Sequence, residues 1–570
     1  MKKIFKLFIP VLLLINLSGC NDLDTAPYDR ISSETFWKTP EHAKQGIMGA
    51  YASLRAIDGF GKRYYFDNVG GLGLAWLESA YYNSMIGTAT DRTSYIGNYW
   101  RFMYDGVQRA NLVIRRVPDM TIDEAIKKPI VAEARFLRAL HYAELLDVFG
   151  GVPLYDESID LNADFNNLMN PRSTPEEVRS FILKDLSDAI ADLPVKWPQA
   201  EHGRATKGAA YALRGKIYLY AKDWKNAIAD FEEVVYNKSN AYNYTLNPKY
   251  ADLFKLAGHN SSEIIFAVQV LGGTGFSYGL PIALNVGFRG TFGGGGNYTM
   301  PANDLADLYE NKDGSPFNWN DHIPGFNEST EVKRKAFWAT HTSGKLTSVP
   351  DTALLGKIYR DRDPRLMATL VVPYSYYLGW VGNAEKNLQF VVAQGANENF
   401  GQVRNNVGWY TYLWRKFVPE GNEGGAIASR DHTPFNFPLI RFADVLLMLS
   451  EAYNEDGQLD KAVTELNKVR TRVNMPGLNS GAAWLKVSTK EEMFRRIVKE
   501  RTVELALEGL RFSDLRRWGI AKEELNNKPA TNLFGELQFT RVFTDRDYLW
   551  PIPRTEIEMN PALKQNPGWE

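Results

Sequence analysis

Between residues 208 and 235 the side chains fall into the register of two antiparallel helices packed face to face. Tyr211, Gly215 and Tyr218 share one helical stripe, and Ala227 and Phe231 share the next, so a small residue can meet a bulky one where the helices touch. The same register returns 235 residues later, where Leu446, Leu449, Tyr453, Ala462 and Leu466 hold equivalent places and Asp456-Gly457 makes the turn. A further first helix, Ile130 to Phe149, is expected to pair with Pro175 to Leu193 across a long inserted loop. Helical pairs bury their faces only against neighbours, so these pieces are predicted to pack together although the chain divides them.

The spacing resembles tetratricopeptide units, and the other helical signals fit around it. Thr39, Pro40 and Glu41 open a capped helix whose inner face carries Ala43, Ile47, Ala50, Tyr51 and Leu54. Periodicity also runs from Tyr99 to Arg116. Residues 59–98 are rich in Gly, Tyr, Asn and Ser, and contain Trp76, Tyr81 and Tyr82. From about 245 to 430 the helical signal mostly fails. Glu263 to Val270 reads as a buried strand; glycines then crowd the chain up to the Gly293–Gly296 run. Glycine at that density costs backbone entropy, and a folded protein keeps such a stretch where loops build a surface. The expected fold is mainly α: tetratricopeptide-like helical pairs with an irregular, loop-rich ligand-binding half carrying a few short strands.

The N-terminus constrains the compartment. Lys2, Lys3 and Lys6 precede an apolar run from Leu7 to Leu17, which at 1.5 Å per residue spans about 17 Å against about 30 Å of hydrocarbon. Residues 1–19 therefore read as an export signal. The run ends in Leu17-Ser18-Gly19-Cys20, and Cys20 is the sole cysteine. That string resembles a lipobox, which implies cleavage before Cys20 and its acylation, with 20–570 forming a single body (about 20–240 and 241–570 as its N- and C-terminal parts). Asp22 and Asp24 resemble the export tag of surface lipoproteins in Bacteroidetes-type bacteria. One cysteine excludes an internal disulfide and a thiolate zinc site. With 66 basic and 67 acidic side chains the chain lacks the cationic surplus that a nucleic-acid binder needs.

Several strings occur in order along the chain: Phe36-Trp37-Lys38-Thr39-Pro40-Glu41; Trp100, Tyr104 and Asn111; Pro301 to Gly314 with Lys312-Asp313-Gly314; Asp363-Pro364-Arg365; Ile440 to Leu447; Glu500 to Gly509 running on to Arg517-Trp518-Gly519; and Leu549 to Pro553 with Gln565-Asn566-Pro567-Gly568. Together they resemble the SusD/RagB family of outer-membrane nutrient-binding lipoproteins, departing in Trp569 where the family more often has Tyr. The resemblance implies four tetratricopeptide-like pairs, a non-catalytic role in capturing glycans or sometimes peptides at the cell surface, and a SusC-like TonB-dependent transporter as partner. The lipid on Cys20 would then be the outer-membrane anchor.

Aromatic residues make up 13% of the chain. A pyranose stacks its C–H face on a flat ring, and its hydroxyls seek amides and charged groups. Trp76, Tyr298 and Trp319 lie in polar or Gly-rich surroundings. Carried over by position from starch-binding members of the family, the first loop contributes Trp76, with Tyr82 and Asn83 close by, and the flanks of the Lys-Asp-Gly helix contribute Tyr298 and Trp319. These five are the expected glycan-binding residues. Glu500, Glu504 and Glu508, four apart, read as structural ion pairs on one helical stripe rather than a glycosidase pair, and Asp361 and Asp363 among Arg360, Arg362 and Arg365 as a charged turn. No His-Glu-x-x-His, Gly-x-Ser-x-Gly or phosphate-loop string is present, so no catalytic residue and no cofactor are expected. Scattered Asp and Asn leave room for a structural calcium ion. A peptide-binding lid of the same family and a surface-tethered glycoside hydrolase stay open as alternatives.

Overall fold

The structure, a computed structural model, describes residues 36–159, 168–238, 242–273, 277–404 and 408–570. The signal segment 1–19, Cys20, Asp22 and Asp24 lie outside the described residues. Among the described residues nine helices form the frame: α1 (Pro40–Ala52), α2 (Ser94–Arg116), α3 (Glu124–Phe149), α4 (Pro175–Asp192), α5 (Lys207–Tyr220), α6 (Trp224–Tyr236), α7 (Phe442–Glu455), α8 (Leu459–Arg472) and α9 (Lys490–Glu504). Each packs on the next in a continuous run from α2 to α8, with α1 against α2 and α3, and α9 against α7 and α8. The expected pairing of α3 with α4 is present.

The repeat crosses the long insertion: α6 lies on α7, although about 200 residues separate them. The Tyr236 hydroxyl donates to Glu465 at 2.5 Å, and the Tyr453 hydroxyl donates to Glu232. Within the α5–α6 pair, a Cβ on Gly215 would sit 2.6 Å from the Phe231 ring, so the small residue sets how closely the two helices approach. Capping fixes the helix starts. Thr174 with Glu177 and Thr489 with Glu492 form reciprocal boxes at α4 and α9, and the Thr39 hydroxyl accepts the His42 N–H at α1.

The irregular half carries short strands, among them β1 (Gly73–Ala75), β2 (Ile264–Val268), β3 (Thr299–Pro301), β4 (Tyr376–Val381), β5 (Ala384–Phe390), β6 (Phe437–Arg441), β7 (Pro529–Thr531) and β8 (Leu537–Thr540). The predicted strand is β2. It pairs antiparallel with β6, which leads directly into α7. Helices do occur where periodicity was expected to fail. Thr330–Phe337 and Thr352–Arg360 are too short to show a repeating face, and their starts are held by Ser329 and Asp351, which accept N–H groups of the first turn. At the C-terminus, Trp550 packs among Phe66, Tyr81, Tyr95, Tyr99 and Phe149, and the Asn566 amide donates to the Phe149 and Trp550 carbonyls.

One expectation about charged residues is corrected. The helical stripe ends early: α9 stops at Glu504, and Leu507 (φ 67°) and Gly509 (φ 72°) turn the chain left-handed, so Glu508 joins the ion pairs from a turn. The Asp361–Arg365 stretch is the expected charged turn, and much of it lies inside the protein. Arg362, Asp363 and Arg365 are buried, because Arg365 reaches Glu500 at 2.6 Å and Glu504 at 2.9 Å inside the protein.

Candidate functional site

The antiparallel register of β1 and β3, with Ala75 opposite Thr299, places the next residues of each strand, Trp76 and Tyr298, side by side. Their rings meet at 5.9 Å between centroids and 75° between planes. Two rings at nearly a right angle make a corner with a floor and a wall. Trp76 is 42% exposed and Tyr298 half-buried. The Trp76 indole N–H donates to the Asn297 carbonyl at 3.4 Å, which fixes the ring without covering its face.

The ribbon beneath is rigid. Asn68 is fully buried; its amide donates to the Ala80 carbonyl at 2.9 Å, and its oxygen accepts from the Thr299 hydroxyl. Arg541, buried and held by carbonyls rather than a carboxylate, donates to Asn68 at 2.7 Å and Gly73 at 2.6 Å; burial lowers its pKa to about 10. The glycine run has a steric reason. The loop before Tyr298 folds back on itself so tightly that a Cβ on Gly295 would lie 2.2 Å from the Gly287 carbonyl.

Tyr82 and Asn83 open the short helix Tyr82–Met85, one turn beyond Trp76, with the Tyr82 N–H donating to the Leu77 carbonyl. Tyr82 meets Phe539 of β8 edge to face at 5.7 Å, and Phe539 meets Trp409 at 6.5 Å. Asn83 is half-buried; its carbonyl accepts the N–H groups of Thr88 and Ala89, and no hydrogen bond engages its side-chain amide among the described residues. The β7–β8 hairpin is tied to the ribbon through the Asn303 amide, which donates to the Thr531 carbonyl. Phe539 and this hairpin were missed from the sequence. Their signal was present: alternating residues flank Asn532 to Gly535, a turn string.

Trp319 is a correction. It is 3% exposed and packed among Phe317, Phe326, Phe337 and Tyr359, with Phe326 stacked at 4.4 Å. Its indole N–H donates to Asp307 at 2.8 Å. Burial pushes the Asp307 carboxyl up to about 6, against the downward pull of Arg362 and of that N–H. Trp319 is thus a core residue and has no face to offer a ligand.

The row of glutamates has no free carboxylate. Glu500 accepts from Arg365 and Arg470, Glu504 from Arg365, Arg441 and Arg472, and Glu508 from Lys416 and Arg441, all buried. Acid–base work on a glycosidic bond needs two carboxyl groups that reach substrate, and these do not. Among the described residues no group of three or more His, Cys, Asp or Glu is arranged to hold a metal ion, so no residue is assigned to calcium. No helix among the described residues is long and apolar enough to cross a membrane.

Fold and site together define a helical-repeat protein with an exposed aromatic corner on its irregular half. The SusD family model matches residues 262–569, and a model described as starch-binding associating with outer membrane matches residues 23–219. The chain belongs to the SusD family. It is 26% identical over 600 residues to SusD-like protein P38 of Formosa agariphila, covering 99% of both chains. It is 24% identical over 607 residues to the starch-binding protein SusD of Bacteroides thetaiotaomicron, covering 100% of this chain and 99% of that one. The crystal structure of a SusD-like protein from Bacteroides fragilis superposes with a TM-score of 0.74 at 25% identity, over 95% of this chain and 100% of that one.

Proposed function

We propose that this protein is a non-catalytic, cell-surface lipoprotein that binds oligosaccharides at the Trp76–Tyr298 corner. It passes them to a SusC-like TonB-dependent transporter, for which it serves as the lid. The observation that carries the reading is the solvent-facing Trp76 ring with Tyr298 as its wall. One pyranose can lie on the indole while its neighbours extend toward Tyr82 and Asn83. The starch-binding relative and the outer-membrane description of the N-terminal family model support a glycan ligand and a membrane location, with acylated Cys20 as the anchor. Ring stacking on nucleobases contributes ~1–3 kcal/mol per ring, and two or three such contacts with a few hydrogen bonds give Kd values of about mM to μM. Such a grip lets cargo be released.

Calorimetry of the chain lacking residues 1–20 against an oligosaccharide panel tests this. Saturable binding without sugar release is expected, weakened about 5- to 30-fold by Trp76→Ala and less by Tyr298→Ala. Unchanged affinity in both variants would remove the site. Liberation of reducing sugar would remove the non-catalytic reading. Co-purification with a barrel transporter, and loss of membrane association in Cys20→Ser, test the partner and the anchor.

A further inference from the structure

Of the tryptophans among the described residues only two are exposed, Trp76 at 42% and Trp484 at 43%. Trp484 stands on the loop between α8 and α9, in a shallow, open cleft of about 640 Å³. None of the aromatic-corner residues lines that cleft. The two rings are held alike. Each indole N–H donates to a backbone carbonyl of another loop, Trp76 to Asn297 and Trp484 to Asp313 at 3.1 Å, so each ring is fixed by its edge while much of its surface stays in water.

The loop that carries Trp484 is cross-tied. The Asn467 side chain donates to the Leu478 carbonyl at 3.1 Å and accepts the Leu478 N–H at 2.6 Å. The Asn479 side chain does the same with Val487, at 3.2 and 2.8 Å. Arg470 donates to the Pro476 carbonyl at 2.8 Å, and Leu485, next to the ring in sequence, is buried. The Lys312-Asp313-Gly314 turn lies directly on this loop: a Cβ on Gly314 would sit 2.7 Å from Leu485 and 2.9 Å from Pro476. The aromatic corner makes no use of that turn. A ring held on so constrained a loop loses little conformational freedom when a ligand settles on it.

A single exposed ring is ordinary on a protein surface. Trp484 is set apart by the unused polar groups around it. Among the described residues no hydrogen bond or ion pair engages the Lys312 ammonium, the Asn474 side-chain amide or the Ser480 hydroxyl, and all three residues are exposed and line the cleft. One Asp313 carboxylate oxygen accepts the Ser315 N–H at 2.9 Å and the Ser315 hydroxyl at 2.6 Å, which leaves its other oxygen open. The charges of Lys312 and Asp313 offset each other, so the cleft favours neither an anion nor a cation. A flat apolar ring bordered by donors and acceptors suits a neutral ligand with one C–H face and a rim of hydroxyls. We propose that Trp484 and this polar rim form a second carbohydrate-binding platform, which takes one pyranose unit of an oligosaccharide independently of the Trp76–Tyr298 corner. It rests on the reading of the protein as a glycan binder, but not on the corner as the place of binding. Two platforms on one chain hold a long glycan at two points and raise its effective affinity.

The test labels the intact protein with 5-fluorotryptophan and follows the fluorine resonances during titration with maltohexaose, cellohexaose, xylohexaose and mannohexaose in turn. Trp76→Phe and Trp484→Phe identify the two signals by their loss. A saturable shift of the Trp484 resonance with at least one of these sugars is expected, and it should persist in Trp76→Ala. Asn474→Ala, which leaves the ring in place, should weaken that titration several-fold. A Trp484 resonance unmoved by all four sugars would overturn the proposal, as would a shift that vanishes in Trp76→Ala, since the ring would then only be relaying events at the corner. Response of Trp76 alone removes the second platform and leaves the corner standing. Response of Trp484 alone supports the platform and removes the corner.

Discussion

Trp76 and Trp319 show how one residue type serves two purposes, depending on what surrounds it. Both sit in polar, loop-rich sequence, and the exposed face of one and the enclosed ring of the other are set by partners distant in the chain: Tyr298 for Trp76, Phe337 and Tyr359 for Trp319. Their alanine variants should therefore differ in kind. Trp319→Ala is expected to cost ~3–5 kcal/mol by urea unfolding, from lost packing and an Asp307 left without its donor. Trp76→Ala should shift stability by less than about 0.5 kcal/mol while weakening glycan binding. Asp67 supplies a pH signature at the same scale. It is 1% exposed, accepts the Gly509 N–H, and burial raises its pKa from 3.8 to about 7. A carboxyl whose folded pKa is raised contributes stability that is full below the unfolded value and lost as pH rises toward the folded one. Asp67→Asn should thus raise the melting temperature more at pH 8 than at pH 5. An equal shift at both pH values would refute the assignment.

At the scale of elements, the α5–α6 pair depends on the contact of Gly215 with Phe231. Gly215→Ala should destabilise by ~1–3 kcal/mol despite alanine's better helix propensity, because the added methyl collides with the fully buried Phe231 ring. Denaturant melts check this; a stabilised variant would mean the helices can part at little cost. These helices were legible because an amphipathic face repeats every turn. The α3–α4 pair was legible across its loop for the same reason, and β2 through its unbroken apolar run. The aromatic corner was legible only in part. Trp76 and Tyr298 stood out by their surroundings, but their pairing arises from a three-residue ribbon, too short to leave a pattern. Phe539, itself buried, packs on Tyr82 from a hairpin near the C-terminus, more than 450 residues later in the chain.

For the whole molecule, the buried ion pairs explain how an irregular half can be held on a helical frame. Glu263, Arg365 and Lys416 come from the loop-rich stretch, whereas Arg441, Arg472, Glu500, Glu504 and Glu508 come from β6, α8, α9 and the turn after it. Their pairs cross the seam between the two halves. Glu504 is the hub, accepting from Arg365 at 2.9 Å, Arg441 at 3.0 Å and Arg472 at 2.6 Å, and these three cations hold its carboxyl far below the usual range despite complete burial. A depressed folded pKa contributes stability that is present above the ordinary glutamate value of 4.5 and is lost as pH falls toward the folded one. Glu504→Gln keeps the shape and removes the charge, leaving three guanidinium groups undercompensated. Breaking a buried pair costs ~3–5 kcal/mol, so a loss of that order is expected at pH 7. The gap between variant and parent should narrow as pH drops below 4.5, because the parent's unfolded chain then takes up a proton on Glu504 that its folded state does not. Urea titrations at pH 7, 5, 4 and 3 measure it. A gap that stayed constant across that range would show that shape, rather than charge, holds the seam. Glycan affinity of the folded variant should match the parent, since Trp76 and Tyr298 stand on their own ribbon, braced by Asn68 and Arg541 rather than by the glutamates.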